Sequence, residues 1–247
     1  MQLFEESKES MKILVTNDDG WDAPGIKLLE SVLAELAEVW TVAPATPQSG
    51  ISHQMTFERP MKLIQYSDHQ YHLNGTPADC ARVGLTQLGE DFDWVFSGVN
   101  NGGNLGVDFF ISGTVAAARE ATFFGKKAVA ISQHRLNYPL EFDWEAVRPL
   151  LRRVIDDALK RPGLAQGDLV NFNLPDCTDL DIHSVQIVEC DLDRSPLPFD
   201  YGRDEGDDLK VEQTLLYRGR YNDRKRASGK DVDVCLGGNV SAVVTRR

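Results

Sequence analysis

The sequence predicts an α/β protein, a Rossmann-like three-layer αβα domain around a mostly parallel sheet with a β-rich C-terminal extension. Short apolar runs alternate with segments of helical periodicity up to about residue 175. Polar loops follow the apolar runs, at the strand ends where open parallel sheets bind ligands. After residue 176 the alternation is lost. We therefore predict a flexible tail at 1–10, a Rossmann-like domain at 11–175 and an extension at 176–247.

The first βαβ unit is the clearest element. MKILVT at 11–16 is a short apolar run with β-branched members, typical of a buried strand. A helix through Glu38 is predicted by apolar residues at helical spacing: Ile26, Leu29, Val32, Leu33 and Leu36. Val39–Ala43 is a second apolar run, so strand, helix and strand predict a right-handed parallel crossover.

The remaining elements follow in order. Residues 51–75 predict a hairpin or flap, with strands in TFERPMKLIQY and QYHLNG. A helix is predicted from Thr76, because Thr76, Pro77 and Asp79 match an N-cap, a first-turn proline and a capping-box acid. Further strands are predicted at 93–99, 128–132 and 168–175, and further helices at Gly113–Phe124 and Trp144–Lys160.

The C-terminal region, residues 176–247, has a different pattern. Its strand-like runs are HSVQIVEC, VEQTLLYRGR and SAVVT, and they are separated by charged loops that contain glycine or proline. We predict strands without helices here, and a role in packing on a neighbouring subunit.

Composition and charge restrict the function. The net charge is −12, from 38 acidic and 26 basic residues, which argues against stable binding to nucleic acid or to anionic membranes. A small anionic substrate is still allowed, because a metal and helix dipoles make a site locally positive. The four cysteines are widely spaced, so a structural zinc site or a disulfide framework is not expected. The polar start lacks a signal-peptide pattern, and a cytoplasmic location is expected.

Two adjacent carboxylates, Asp18 and Asp19, follow the first strand. They repel each other, and a hard divalent cation such as Mg²⁺ or Mn²⁺ would neutralise them. The oxygens of Ser49 and Asn100 could complete such a metal site. The alternative is that the NDDG segment only shapes a turn and caps the next helix.

The segment SGTVAAARE at 112–120 predicts an anion site. Ser112, Gly113 and Thr114 precede a helix of small residues, where free N–H groups bind phosphate. The alternative is that a hydroxyl only caps the helix. The loop NNGGNLG at 100–106 lets backbone approach a ligand, or is simply flexible. It matches neither a dinucleotide fingerprint nor a P-loop.

The order and spacing of ILVTNDDGWDAPGI, VAPATPQSG, NGTPADC, SGVNNGGNLGVD and SGTVAAARE resemble those of the SurE (survival protein E) family of 5′/3′-nucleotidases. The match is looser downstream, at NFNLP and at Gly229–Val234. The resemblance implies metal-dependent hydrolysis of nucleoside 5′- and 3′-monophosphates, with one divalent cation per subunit. It also implies a swapped or tetramerising C-terminal segment in a homodimer or homotetramer.

Carried over by position, the resemblance implies metal ligands Asp18, Asp19, Ser49 and Asn100, and phosphate-binding residues Asn104, Ser112, Gly113 and Thr114. The ten residues before Met11 and the early end at VSAVVTRR depart from the family pattern, which leaves the subunit contacts open.

The predicted catalytic residues are Asp18 and Asp19, one of which orients or deprotonates the attacking water. Direct attack by an aspartate stays open, as do base preference and 5′ or 3′ preference. A haloacid dehalogenase-type phosphatase is rejected because Asn17 occupies the position of the nucleophilic aspartate. The alternative from a different functional class is a non-catalytic nucleotide-binding protein with the same fold.

Overall fold

The computed structural model describes residues 10–136, 141–197, 201–203, 215–217 and 223–246. The strands are β1 Lys12–Thr16, β2 Glu38–Pro44, β3 Leu63–Ser67, β4 Gln70–Leu73, β5 Trp94–Asn101, β6 Lys127–Gln133, β7 Leu169–Leu174, β8 Ile187–Glu189, β9 Tyr201–Arg203, β10 Leu215–Tyr217 and β11 Val240–Thr245. The α-helices are α1 Pro24–Leu33, α2 Pro77–Gln87, α3 Gly113–Phe123, α4 Arg148–Lys160 and α5 Asp231–Leu236. Gly106–Phe110 and Glu145–Val147 form 3₁₀-helices.

The main sheet has nine strands in the order β3-β4-β2-β1-β5-β6-β7-β11-β8. Its central strands, β4, β2, β1, β5, β6 and β7, run parallel to one another. β1 lies in the middle of this group, and β2 and β5 pair with it on opposite sides. The mostly parallel α/β sheet predicted from the sequence is thereby confirmed.

Alternate side chains of the central strands enter two different cores. Ile13 and Val15 of β1 belong to the core that also contains buried residues of α1 and α4. Leu14, between them in sequence, packs in the other core with Cys80 of α2 and Val115 of α3. Because strand side chains alternate in direction, the two cores lie on opposite faces of the sheet. With α1 and α4 on one face and α2 and α3 on the other, the domain has the predicted three-layer arrangement.

Several element boundaries refine the predictions. The flap contains the hairpin of β3 and β4, but its predicted TFERP portion is not a strand, and Pro60 cannot donate to a strand ladder. The predicted helix start at Thr76 is confirmed, because Thr76 and Asp79 form a full capping box. The helix predicted from Trp144 starts later, at Arg148, after a 3₁₀ turn.

The C-terminal region adds strands to the same sheet. β11 runs antiparallel to β7, and β8 runs parallel to β11. The prediction of no helix in this region was wrong, because α5 lies immediately before β11. β9 and β10 form a separate antiparallel pair, and most of VEQTLLYRGR lies outside the described residues. The predicted tail at 1–10 lies outside them as well, except for Ser10.

Among the described helices, none has the length and apolar character needed to cross a membrane. The boundary predicted at residue 175, the packing on a neighbouring subunit and the cytoplasmic location stay predictions.

Candidate active site

The candidate site lies at β1, where the order in which strands are added to the sheet reverses. From β1 the chain goes to β2 on one side, and it later returns to place β5 on the other side. Loops at such a switch point separate and leave a crevice at the carboxyl ends of the strands. The loops after β1 and β5 meet here, because the Asn101 N–H donates a hydrogen bond of 2.9 Å to Asp19 Oδ2.

The turn after β1 is built around the buried side chain of Asn17. Its Nδ2 donates to the carbonyl of Gly20 at 2.7 Å, and its Oδ1 accepts from the Gly20 N–H at 3.3 Å. Gly20 has a φ of +107°, a conformation that side chains other than glycine rarely adopt. The turn therefore holds the two residues inside it, Asp18 and Asp19, in fixed positions at the mouth of β1.

Asp18 is the more deeply buried carboxylate, with 5% of its surface exposed. The Thr114 hydroxyl donates a hydrogen bond to its Oδ1. Burial, together with the charge of Asp19, raises the pKa of Asp18 to about 7 in spite of the hydrogen bond from Thr114. Burial also raises the pKa of half-buried Asp19, and the Asn101 N–H opposes that shift.

The composition of the acidic pair fits a hard divalent cation. In the part of the chain that the structure describes, no lysine, arginine or histidine is a leading influence on the pKa of either carboxylate. No three His, Cys, Asp or Glu side chains gather as a metal cluster among these residues. A cation here would therefore bind two carboxylates together with neutral oxygens, the donor set that Mg²⁺ and Mn²⁺ prefer.

The two predicted neutral ligands lie on the loops that flank the acidic pair. Ser49 is exposed and directly follows Gln48, whose N–H donates to the carbonyl oxygen of Asp18 at 2.7 Å. Asn100 is near the end of β5, and its Nδ2 donates to the carbonyl of Gly102 at 2.8 Å. The structure therefore brings both loops to the acidic pair, and their role as metal ligands stays a prediction.

The N-terminus of α3 faces Asp18. Ser112 is the N-cap, because its Oγ accepts the N–H of Val115 at 3.0 Å. A Cβ built on Gly113 would lie only 2.9 Å from Asp18 Cβ, so only glycine allows the helix this close to the carboxylate. Thr114 directs its hydroxyl proton to Asp18, whereas the sequence predicted that it binds phosphate. Ser112 keeps a hydroxyl proton that can be donated to a ligand.

Asn104 is held in a buried polar cluster at the ends of three strands. Its Nδ2 donates to Ser132 Oγ, and its N–H donates to Asn173 Oδ1, each at 2.7 Å. Its carbonyl accepts from the side-chain amides of Asn171 and Asn173. Sequence reasoning missed Asn171 and Asn173 as supports of the site, although asparagines alternating within the buried strand NFNLP were an available signal.

A second cluster missed from the sequence joins the flap to α3. Glu120, which is almost fully buried, accepts from Arg82 at 2.7 Å and lies 2.9 Å from Nε2 of His53. The His53 ring also stacks on Phe123. The signal in the sequence was weak, because it consists only of His53 following Ser49 closely.

Comparison with known proteins supports one family. The family model described as survival protein SurE matches residues 13–195. A Nostoc sp. protein provisionally named a 5′-nucleotidase is 44% identical over 236 residues, 96% of this chain and all of its own length. The protein named 5′-nucleotidase SurE from Methylobacterium radiotolerans is 40% identical over 182 residues, 72% of this chain and 71% of its own.

A solved structure is also similar. The crystal structure of a SurE protein from Aquifex aeolicus has a TM-score of 0.81 and 27% sequence identity, over 95% of this chain and 93% of the other.

Proposed function

Because this chain belongs to the survival protein SurE family, we propose that it is a metal-dependent phosphomonoesterase that hydrolyses nucleoside 5′- and 3′-monophosphates to nucleoside and phosphate. The names of its relatives support a 5′-nucleotidase. The observation that carries the proposal is the carboxylate pair Asp18 and Asp19, of which the buried Asp18 faces the N-terminus of α3. A carboxylate pair beside helix N–H groups offers one site for a cation and another for a phosphate.

In this proposal Asp18, Asp19, Ser49 and Asn100 hold one Mg²⁺ or Mn²⁺ ion per subunit. When bound, such an ion polarises phosphoryl oxygens and lowers the pKa of water, which makes water a better nucleophile. The fit rests on the chemistry of the donors, since one buried and one half-buried carboxylate, neither with a cationic side chain as a leading influence on its pKa among the described residues, favour a cation between them.

The protein's own groups have separate tasks. The first N–H groups of α3, the Ser112 hydroxyl and the Asn104 side chain bind and orient the phosphate oxygens, with Gly113 allowing close approach. Thr114 fixes the orientation of Asp18 through its hydrogen bond.

Asp19 is less buried than Asp18, and only its Oδ2 accepts the Asn101 N–H. It is therefore the better placed of the two to accept the proton of the attacking water. As the new oxygen–phosphorus bond forms, the ester bond breaks and the leaving nucleoside oxygen takes up a proton.

The test is phosphate release from nucleoside 5′- and 3′-monophosphates with Mg²⁺, with Mn²⁺ and with EDTA. We expect release that depends on the metal and is lost in Asp18→Asn and in Asp19→Asn. The matched control is Asp22→Asn, which removes an exposed carboxylate from the loop that follows the same strand and keeps activity.

Failure of the folded protein to release phosphate from any nucleotide with either metal would contradict the proposal. Intact nucleotide binding in that protein would then favour the non-catalytic alternative. Equal activity with EDTA and with metal would contradict the metal requirement, and release from 5′-monophosphates alone would contradict the 3′ activity.

A further inference from the structure

The flap forms one wall of a groove of about 620 Å³. Volumes of this size are typical of sites for small molecules. The lining includes Gln48 from the loop after β2, Met55, Phe57 and Arg59 from the flap, and Thr76 from the start of α2. None of these residues belongs to the acidic pair or to the predicted phosphate site.

The groove begins beside the candidate active site. Gln48, one of its lining residues, donates its N–H to the carbonyl of Asp18. Thr76, another lining residue, is followed by Pro77, whose ring would be 3.2 Å from a Cβ built on Gly113. A phosphate at the N-terminus of α3 would therefore have the groove next to it, in position for the group that the phosphate carries.

Hydrogen bonds hold the walls of the groove in place. The Thr56 N–H donates to Asp79 Oδ1 at 3.1 Å, and the Thr76 hydroxyl donates to the carbonyl of Gln54 at 2.7 Å. The Arg59 guanidinium donates to the carbonyl of Asn74 at 2.6 Å. The first two bonds tie the flap to the start of α2, and the third joins Arg59 to Asn74 within the flap, so the groove is formed before a ligand arrives.

Phe57 is the most exposed large apolar side chain described, with 79% of its surface exposed. The groove lining also contains one carboxylate, Glu58, and one guanidinium, Arg59, so the formal charges of these two residues sum to zero. The groove therefore suits an uncharged group rather than a second phosphate. Among uncharged groups, a planar aromatic one would gain the most binding energy, because the phenyl ring of Phe57 offers a stacking surface for any nucleobase.

We propose that this groove is the nucleoside subsite of the enzyme and that Phe57 stacks on the nucleobase. The inference rests on the proposed nucleotidase function and adds the residue that recognises the base. It assigns Phe57 to substrate binding rather than to the chemical step, because Phe57 carries no group that can transfer a proton or bind a metal.

The experiment compares 5′-AMP with ribose 5-phosphate, which carries the same phosphate without a base. In Phe57→Ala we expect kcat/KM for 5′-AMP to fall about 5- to 20-fold, mainly through KM, from the energy of base–aromatic stacking. Hydrolysis of ribose 5-phosphate stays unchanged. Phe57→Trp retains activity on 5′-AMP, and Phe124→Ala, an exposed phenylalanine at the other end of α3, behaves like the parent protein.

Equal losses on both substrates would show a structural effect of Phe57 and overturn the proposal, as would unchanged kinetics on 5′-AMP. Calorimetric titration with adenosine distinguishes failure of the proposed subsite from failure of the proposed nucleotidase function. If the protein hydrolyses neither substrate, adenosine binding that weakens in Phe57→Ala still supports the subsite. Absence of adenosine binding, or binding that is equal in parent and variant, overturns it.

Discussion

Two buried aspartates, Asp18 and Asp231, have different surroundings. Asp231 is fully buried and accepts the backbone N–H groups of Gly106 at 2.6 Å, Asp193 at 2.6 Å and Val232 at 2.9 Å. Asp18 lies beside another carboxylate and accepts the hydroxyl of Thr114. Burial raises the pKa of both, and a neighbouring carboxylate adds to each rise. At Asp231 the three backbone N–H groups have larger effects than the charge of Asp193, whereas at Asp18 the charge of Asp19 is second only to burial.

The difference separates a structural carboxylate from a functional one. Asp231 uses its charge to join α5 to the loop after β5 and to the segment after β8, so its hydrogen bonds stabilise the fold. Asp18 is held in an arrangement that costs stability in the isolated chain, and such a cost is common at sites that bind a ligand. The predictions below test this distinction.

The largest effect is expected from Asp18→Asn. We expect kcat/KM for 5′-AMP to fall at least about 10³-fold, the upper end for removal of one preorganised group that stabilises transition-state charge. Stability measured in EDTA does not fall, because asparagine retains an oxygen for Thr114 and no longer repels Asp19. Chemical denaturation and steady-state kinetics on the same preparation measure both effects. A large loss of stability would place Asp18 with Asp231 as a structural residue.

The next effect concerns pH, in protein kept free of metal with EDTA. The pKa of Asp18 is about 7 in the folded protein, and its ordinary value is 3.8. Between these two pH values the folded protein therefore binds a proton at Asp18 that the unfolded chain does not bind. Its contribution to stability is therefore most unfavourable above pH 7 and disappears as the pH falls towards 4. As the pH increases from 4 to 7, the free energy of unfolding of Asp18→Asn should therefore rise relative to that of the parent, by at most about 4 kcal/mol. A difference that does not vary with pH contradicts this expectation.

A smaller effect is expected on stability from Asp231→Ala. Three backbone N–H groups lose their acceptor in a buried position, which costs about 3 kcal/mol in the free energy of unfolding. Activity per folded molecule falls far less than in Asp18→Asn. The control is Asp233→Ala, in the same helix, because Asp233 accepts one N–H in an exposed position. Equal stability losses in the two variants, measured by urea denaturation, would contradict the assignment.

The sequence predicted the parts of the site that depend on local pattern. The strand before Asp18 and Asp19 and the cap at Ser112 each follow from a few adjacent residues. It could not predict which distant groups meet there. The Asn101 N–H that reaches Asp19 is a backbone group, and Asp231 contacts Gly106 across 125 positions. Such contacts are set by how the elements pack, which hydrophobic periodicity does not specify.

The same limit explains the errors in the C-terminal region. Helix α5 has six residues, too few for a helical repeat of apolar positions to stand out. Its position depends on the long-range hydrogen bonds of Asp231, so the local pattern gave no reason to predict it. β8 and β11 were identified as strand-like runs, but their place in the main sheet depends on the pairing of β11 with β7.

The smallest of these effects is expected from Gly113→Ala, which tests how closely α3 must approach Asp18. The new Cβ would lie 2.9 Å from Asp18 Cβ and 3.0 Å from its Oδ2, so the helix start or the aspartate must shift. A shift of even about 1 Å at a reacting centre lowers activity up to 10²-fold, and we expect a loss of about 10- to 100-fold in kcat/KM for 5′-AMP.

The matched control for this loss is Gly84→Ala, within α2. There the added Cβ meets the side chain of Leu14, 2.6 Å away, in the core between α2 and the sheet. Both variants overpack a buried contact, and each should cost about 1 to 3 kcal/mol of stability. Only Gly113→Ala should lose activity beyond what unfolding explains, because only its contact includes a carboxylate of the site. Equal kinetics in the two variants would show that α3 need not approach Asp18 this closely for catalysis.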